Sequence, residues 1–207
     1  MDLSRPYTAL CPALGGDVLA ALAGTRRPLT GREVARLAGR RSHVGVRDVL
    51  ARLVEQGLVD RQEAGPALLY TLNRDHLAAP AVAVLAGMRS DLVRRLRTAI
   101  ETWDIPPVHA SMFGSAARGD GDSQSDVDIF IIRSTHVDDD DDAWRMQLDT
   151  LAARVLRWTG NDARIAEVGE AEIPRLREAE LPIVQNLRHD AIRLYGGEAT
   201  DVLGGGA

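Results

Sequence analysis

The sequence contains no lysine, and each of its 25 Lys/Arg positions is an arginine. The absence of lysine excludes a lysine nucleophile, a Schiff base and a Walker-type phosphate loop, which requires Gly-Lys-Ser/Thr. The single cysteine, Cys11, excludes an internal disulfide and a zinc site built from several cysteines. No apolar run approaches the ~18 residues that cross a bilayer, and Asp2 and Arg5 flank no signal-like stretch. We therefore expect a cytoplasmic protein with no membrane partner.

Charge is unevenly distributed along the 207 residues, although the net charge is only −5. Residues 1–75 contain 11 arginines and 8 acidic residues, a balance of +3. Residues 108–207 contain 10 arginines and 19 acidic residues, a balance of −9. A mildly basic first part and an acidic second part indicate two domains with different functions.

Three helices are predicted in the first part of the chain. Apolar spacing predicts a helix over residues 14–23. Thr30 and Glu33 have the spacing of a capping box, so a second helix begins at the next residue after Thr30. Ser42 is predicted to cap a third helix, which ends before Gly57.

A β-hairpin is predicted directly after these helices. Its strands are residues 58–61 and 68–72, joined by a turn that contains Gly65 and Pro66. Three helices followed by a hairpin resemble the winged helix-turn-helix domain of bacterial transcription regulators, over about residues 14–75. The run from Leu50 to Val59 is similar to the end of the recognition helix and its passage into the wing.

This resemblance implies that the third helix enters the major groove of DNA. Arginine side chains contact phosphates or read guanine in such complexes. The alternative is a solvated basic face on a helical dimerisation module. We expect His43 to lie at the surface or near a phosphate rather than to bind a metal. The predicted DNA-binding residues are Arg40, Arg41, Ser42, His43, Arg47 and Arg61.

A longer helix is predicted between the two parts of the chain. It would serve as a connector or as a dimer helix in a homodimer, and its apolar stripe is equally compatible with plain core packing. Two prolines, Pro106 and Pro107, end it. The predicted organisation is a DNA-binding domain at 1–78, a connector helix at 79–105, a second domain at 106–197 and a flexible tail at 198–207.

The second part contains strands and helices in alternation. Strands are predicted at 108–113, 127–132 and 164–168, and a helix at 144–158. The segment 127–132 is apolar almost throughout, so we expect it in the centre of a sheet.

The most informative pattern is the Gly114-Ser115 turn followed by Asp126-Val127-Asp128. Side chains two residues apart on a strand point to the same face, so Asp126 and Asp128 lie together. Two carboxylates held close repel each other, and a hard divalent cation is the usual reason for such a pair. A Gly-Ser turn offers backbone N–H groups and a hydroxyl to a phosphate. The pattern predicts a site for a metal-bound nucleoside triphosphate.

These motifs resemble the polymerase-beta-like nucleotidyltransferases, especially the small prokaryotic minimal type, over about residues 106–197. The segment from Asp190 to Gly196 is also similar to the end of such domains. The resemblance implies a mixed sheet with flanking helices and transfer of a nucleoside monophosphate with release of pyrophosphate. The whole chain is therefore predicted to be α+β, with a winged helix-turn-helix, a connector helix and a nucleotidyltransferase domain.

The resemblance also implies roles for single residues. Gly114 lets the backbone approach the triphosphate, and Ser115 bonds a terminal phosphate. Asp126 and Asp128 hold Mg²⁺, whose charge stabilises the oxyanions that develop in an in-line displacement. The nucleotide-binding residues implied are Gly114, Ser115, Arg118 and Ser125.

Two of these assignments have alternatives. Arg118 contacts phosphate or forms a salt bridge within the fold, and Ser125 orients the loop. Glu167 is the candidate for a third, catalytic and metal-binding carboxylate, because a charge in an apolar strand needs a reason. Glu167 alternatively marks the end of a strand beside Glu170. In that case the site would bind nucleotide without turning it over.

Two functions follow from these readings. One is a Mg²⁺-dependent nucleotidyltransferase whose DNA binding serves autoregulation or targeting. The other is a DNA-binding regulator, or an antitoxin-like component of a toxin–antitoxin pair, whose transferase-like domain senses a nucleotide. The acceptor is a protein hydroxyl, an RNA end or a small molecule, and the sequence does not choose between them.

Overall fold

The computed structural model describes residues 1–39, 43–178 and 182–204. The chain divides into two compact units. The first unit is Arg5–Arg89, and the second is Met1–Ser4 together with the residues from Ser90 onward. Within the described ranges helices accompany two separate sheets, which confirms the α+β class. None of the helices in these ranges is both long and apolar enough to cross a membrane.

Among its described residues, the first unit contains four α-helices: α1 (Leu14–Ala23), α2 (Gly31–Leu37), α3 (His43–Glu55) and α4 (Ala79–Ala86). The predicted bounds of α1 are confirmed. The predicted capping box at the start of α2 is also confirmed, because the Glu33 N–H donates to the Thr30 hydroxyl and the Thr30 N–H donates to the Glu33 carboxylate. The pKa of Glu33 falls to about 2, chiefly because its carboxylate accepts from the Thr30 N–H. Ser42, the predicted cap of α3, lies outside the described residues.

The sheet of the first unit has three short strands: β1 (Leu29–Thr30), β2 (Val59–Ala64) and β3 (Ala67–Leu72). The central strand is β3, which pairs antiparallel with both neighbours. The hairpin predicted from the sequence is formed by β2 and β3, and Gly65 adopts a φ of +59° at its turn. Two residues are too few to show an alternating pattern, so the sequence does not indicate β1. Helices and hairpin enclose one apolar core, whose largest fully buried side chains are Leu22, Leu29 and Leu50.

The single connector helix predicted for residues 79–105 is corrected by the structure to two helices. The first, α4, is followed by Gly87, and α5 (Met88–Glu101) begins directly after it. Val82 of α4 is buried in the core of the first unit, whereas Leu96 of α5 is buried in the core of the second. A glycine inside a helix costs about 1 kcal/mol relative to alanine, so Gly87 is a favourable point for the break. The apolar stripe continues across this break, which is why the sequence reads as one helix.

A four-stranded mixed sheet forms the second unit: β4 (His109–Phe113), β5 (Val127–Arg133), β6 (Ala163–Gly169) and β7 (Ile192–Gly196). The strand order is β6-β5-β4-β7, so β5 is an inner strand as predicted. The outer strand β6 runs parallel to β5, and the connection between them is α7 (Asp142–Thr159). The neighbouring β4 runs antiparallel to β5 and β7. The sequence does not indicate β7, because this edge strand exposes Arg193 and lacks a continuous apolar run.

Apolar clusters cover both faces of this sheet. Ile129 and Ile131 point to the face covered by α5 and α7, where Trp144 is fully buried. Alternate side chains of β5, Phe130 and Ile132, point to the other face. That face is covered by short helices: α8 (Ile173–Glu178), α9 (Pro182–Asp190) and α10 (Ala199–Leu203). The short helix α6 (Gly114–Arg118) buries Ala116 and Ala117 in the cluster of Ile129 and Ile131.

The flexible tail predicted for residues 198–207 is also corrected. Leu203 of α10 is fully buried in the apolar cluster that contains Phe130 and Ile132. The glycine-rich sequence around Leu203 does not indicate a helix. Burial of the Leu203 side chain stabilises α10. Residues 205–207 lie outside the described ranges.

Removing the cap of α2 tests the role of the capping box. Thr30→Ala is expected to destabilise the start of α2 by about 1 kcal/mol, since it leaves a backbone N–H without its acceptor. Amide exchange in α2 should then be about fivefold faster in hydrogen-exchange measurements. Arg27→Gln is the control, because it removes the exposed Arg27–Glu33 ion pair of 2.9 Å and leaves both groups of the capping box in place. A larger effect from Arg27→Gln would show that the ion pair, rather than the cap, stabilises this end.

Candidate functional site

The Gly-Ser turn lies where β4 ends and the short helix α6 begins. Gly114 adopts a φ of +69°, in the left-handed region that favours glycine. A Cβ atom added at Gly114 would lie 2.5 Å from Oδ2 of Asp128. The cause is the strand register, which pairs Phe113 directly with Asp128. Glycine at this position therefore allows the turn to lie against the Asp128 carboxylate.

Asp126 and Asp128 are brought together at the start of β5. Burial raises the pKa of Asp128 above its ordinary value. The Arg164 guanidinium lowers this pKa, and the negative charge of Asp126 raises it. The Asp126 side chain is 32% exposed, and its Oδ2 lies 2.7 Å from an Arg164 nitrogen. Arg164 therefore acts on both carboxylates, through an ion pair with Asp126 and through its charge on Asp128.

The loop after α6 folds against the same turn. A Cβ atom added at Gly121 would lie 3.0 Å from the Ser115 hydroxyl and 3.2 Å from the Ser125 hydroxyl. Ser125 accepts a hydrogen bond from the Asp122 N–H and donates one to the Asp122 carboxylate. The structure therefore places the hydroxyls of Ser115 and Ser125 close to Gly121, in the loop that leads to Asp126.

Arg118 is held by two carboxylates. Its Nε donates to Asp120 at 2.9 Å, and its Nη1 donates to Asp190 at 3.0 Å. These ion pairs connect the loop to the end of α9. Arg118 also lowers the pKa of Asp128, so its charge acts on the site although its hydrogen bonds lie within the fold.

Glu167 does not join Asp126 and Asp128, which corrects its predicted role as the third carboxylate. In the parallel pairing of β5 and β6, Glu167 lies beside Ile131 and therefore on the opposite face of the sheet from Asp128. Its carboxylate accepts from Arg133 Nε at 2.7 Å and from Trp144 Nε1 at 2.9 Å. The charge within this apolar strand is explained by these two partners.

Arg164 is the residue that the sequence did not identify. The register places it on β6 directly beside Asp128, on the face of the sheet that carries this carboxylate. The alternation along β6 separates Arg164 from Glu167 by an odd number of positions, so the two cannot share a face. The sequence shows this alternation, but it does not show which of the two faces Asp128.

The donor set fits one hard cation. Within residues 1–39, 43–178 and 182–204, no group of three or more His, Cys, Asp or Glu side chains is placed to hold a metal ion. Mg²⁺ is commonly bound by one or two carboxylates, with substrate phosphates and waters as the remaining ligands. Asp126 and Asp128 therefore suit a cation that arrives with a triphosphate.

A separate groove of about 810 Å³ lies in the first unit, between α2, α3 and β3. Arg32 and Arg47 line it together with Val44, Leu68 and other apolar side chains. Arg32 was not among the predicted residues, and the sequence signal for it is its place just after the capping residue Thr30.

The predicted DNA-binding residues are only partly described. Arg47 lines the groove, and Arg61 on β2 pairs with Tyr70, which also lines it. His43 is the first residue of α3, and the structure describes its backbone only. Arg40, Arg41 and Ser42 lie outside the described residues.

Comparisons with known proteins support the assignment of the second unit. Residues 93–159 match the protein family described as "Nucleotidyltransferase domain", and this range contains Gly114, Asp126 and Asp128. The first unit lies outside the match. No curated protein matches the sequence.

One solved structure with some similarity is human N-acetylserotonin methyltransferase in complex with SAM. The two are 24% identical over 50% of this chain and 34% of that chain, with a TM-score of 0.29. The chain spans about a third of the length of that protein, and a TM-score this low does not establish a common fold.

Two glycine substitutions separate backbone strain from damage to the site. Gly114→Ala and Gly160→Ala both place alanine at a positive φ, and we expect each to cost about 1–2 kcal/mol in urea denaturation followed by circular dichroism. Nothing lies within 4 Å of a Cβ at Gly160, whereas a Cβ at Gly114 displaces the Asp128 carboxylate. Mn²⁺ affinity should therefore fall only in Gly114→Ala. Equal loss in Gly160→Ala would trace the effect to general destabilisation.

Proposed function

We propose that the second unit transfers a nucleoside monophosphate from a Mg²⁺-bound nucleoside triphosphate to an acceptor. The observation that carries this proposal is the contact between the Gly114 turn and Asp128, with Asp126 beside it, inside the range that matches the nucleotidyltransferase family. General nucleotidyl transfer is what that family match supports. The cation, the acceptor and the link to DNA are the further content of the proposal.

Each residue of the site has a role in this reaction. Asp126 and Asp128 hold Mg²⁺, which when bound supplies positive charge against the phosphate oxygens. Gly114 leaves room for the triphosphate at the turn, and the Ser115 hydroxyl donates to a phosphate oxygen. The acceptor oxygen attacks the α-phosphorus, pyrophosphate leaves from the opposite side, and the acceptor proton passes to water.

The acceptor is a protein hydroxyl, an RNA end or a small molecule. Asp126 is 32% exposed and Arg164 is 73% exposed, so the site is open on the side of these two residues. An open site is compatible with a macromolecular acceptor as well as with a small one. Candidates of all three classes therefore belong in the first assay.

Loss of one metal ligand should abolish transfer. With labelled nucleoside triphosphates, Mg²⁺ and a panel of acceptors, Asp128→Asn is expected to lower the rate at least about a hundredfold, since a bound cation contributes several kcal/mol of charge stabilisation. Glu167→Gln should retain transfer per folded molecule, because Glu167 lies on the other face of the sheet. No transfer by the wild type, or equal transfer by Asp128→Asn, would overturn the proposal. Loss of transfer in folded Glu167→Gln would restore Glu167 to the reaction.

We further propose that the first unit is a winged helix-turn-helix that binds DNA, as a homodimer on paired half-sites. The specific observation is the groove framed by α2, α3 and the β2–β3 hairpin, into which Arg32 and Arg47 project from two different helices. Arginines on two helices suit the two backbones that border a DNA groove. In this second reading the chain is a regulator or an antitoxin-like protein, and its transferase-like domain senses nucleotide.

Charge removal on α2 and α3 tests the DNA proposal. Arg32→Gln and Arg47→Gln should each weaken binding to promoter and random duplexes and reduce the salt slope of log K by about 1. Arg36→Gln is the matched control, because Arg36 lies on α2 and is not among the residues that line the groove. Anisotropy titrations over about 50–200 mM salt measure these changes. Failure to bind any duplex at low salt, or an equal loss in Arg36→Gln, would contradict the proposal.

A further inference from the structure

Arg164 occupies a position in the candidate active site that requires an explanation. It stands on β6 beside Asp128, on the face of the sheet that carries the paired aspartates. Its guanidinium lies 2.7 Å from Oδ2 of Asp126. One of the two proposed metal ligands is therefore already neutralised by an arginine.

The ion pair between Arg164 and Asp126 is weak enough to exchange. The Arg164 side chain is 73% exposed and that of Asp126 is 32% exposed. Ion pairs in such surroundings contribute little to stability, because water screens the charges. A stronger partner for either group would separate them.

A divalent cation and the Arg164 guanidinium compete for the same carboxylate. Both carry positive charge, so a cation that binds Asp126 and Asp128 repels the guanidinium from Oδ2 of Asp126. A cation that arrives alone must break the ion pair and provides no new hydrogen-bond acceptor for the Arg164 guanidinium. A cation that arrives with a triphosphate brings phosphate oxygens, which a guanidinium binds in a bidentate manner.

We propose that Arg164 couples cation binding to nucleotide binding by exchanging Asp126 for the triphosphate. This inference rests on the nucleotidyltransferase function proposed above. With the site empty, Arg164 holds Asp126. When the Mg²⁺–triphosphate complex binds, Asp126 turns to the cation and Arg164 turns to a phosphate oxygen. The free cation is thereby disfavoured, and the complex with a triphosphate is selected.

The other arginine near the site is less suited to this exchange. Arg118 is held by both Asp120 and Asp190, at 2.9 and 3.0 Å, and these ion pairs join two parts of the fold. Moving its guanidinium would break two contacts rather than one. Arg164 stands on a parallel strand in fixed register with Asp128, so only its side chain has to turn.

The test measures cation and nucleotide binding without turnover. Mn²⁺ serves as the cation, and its free concentration is followed by electron paramagnetic resonance. Titrations are run without nucleotide and with α,β-methylene analogues of ATP and GTP. The variants are Arg164→Gln, Arg164→Lys and Arg157→Gln, the last being an exposed arginine on α7, which covers the opposite face of the sheet.

The expected result is a change of opposite sign in the two titrations. Arg164→Gln should bind Mn²⁺ alone about two- to fivefold more tightly, since no ion pair has to be broken. The same variant should bind Mn²⁺ with the analogue at least about tenfold more weakly, since a charge-assisted contact to phosphate is lost. Arg164→Lys should restore the weak binding of Mn²⁺ alone but only part of the analogue affinity, because lysine lacks the planar fork. Arg157→Gln should match the wild type in both titrations.

The outcomes distinguish this inference from the proposed function. Tight binding of Mn²⁺ with the analogue by the wild type, together with unchanged binding by Arg164→Gln, would overturn the inference and leave the proposed function standing. A loss of both affinities in Arg164→Gln would overturn it too, because a merely structural arginine would behave in that way. Failure of the wild type to bind Mn²⁺ with or without an analogue would overturn the proposed function and, with it, this inference.

Discussion

The antiparallel register between β4 and β5 is the constraint on which the site of the second unit depends. It pairs Phe113 with Asp128, so the chain leaves β4 and turns directly beside the Asp128 carboxylate. Glycine suits this turn, because its φ is +69° and a Cβ added there would lie 2.5 Å from the Asp128 carboxylate oxygen. The positions of the glycine, the aspartate pair and the loop behind them therefore depend on one another.

The parallel pairing of β5 with β6 then decides which charged side chain faces the aspartates. Arg164 faces them, whereas Glu167 points to the opposite face and is held by Arg133 and Trp144. Because strand side chains alternate, a shift of one residue in register would exchange these faces and present Glu167 instead. The alignment of these two strands therefore decides which charge lies on the face of the aspartates.

The sequence predicted features that depend on local chemistry, and it failed where distant strands meet. Local rules suffice for the Thr30 capping box, the bounds of α1 and the inner position of β5. The Asp126–Asp128 pair follows from strand alternation alone. The register that separates Glu167 from this pair involves a strand more than thirty residues away, and a single sequence carries no signal for it. The sequence does not predict the break at Gly87, because an apolar stripe indicates that a helix is buried but not in which of the two cores each part of it is buried.

The positions of the tryptophans determine how unfolding of the protein can be followed in solution. All three tryptophans of the chain, Trp103, Trp144 and Trp158, belong to the second unit. Trp103 and Trp144 lie edge to face, 5.5 Å apart, and Trp144 is fully buried with its indole N–H bonded to a carboxylate. Indole fluorescence therefore reports on the unfolding of the transferase-like unit alone. The first unit contains no indole, so its unfolding has to be followed by another signal, and the two units of the intact chain are optically distinguishable.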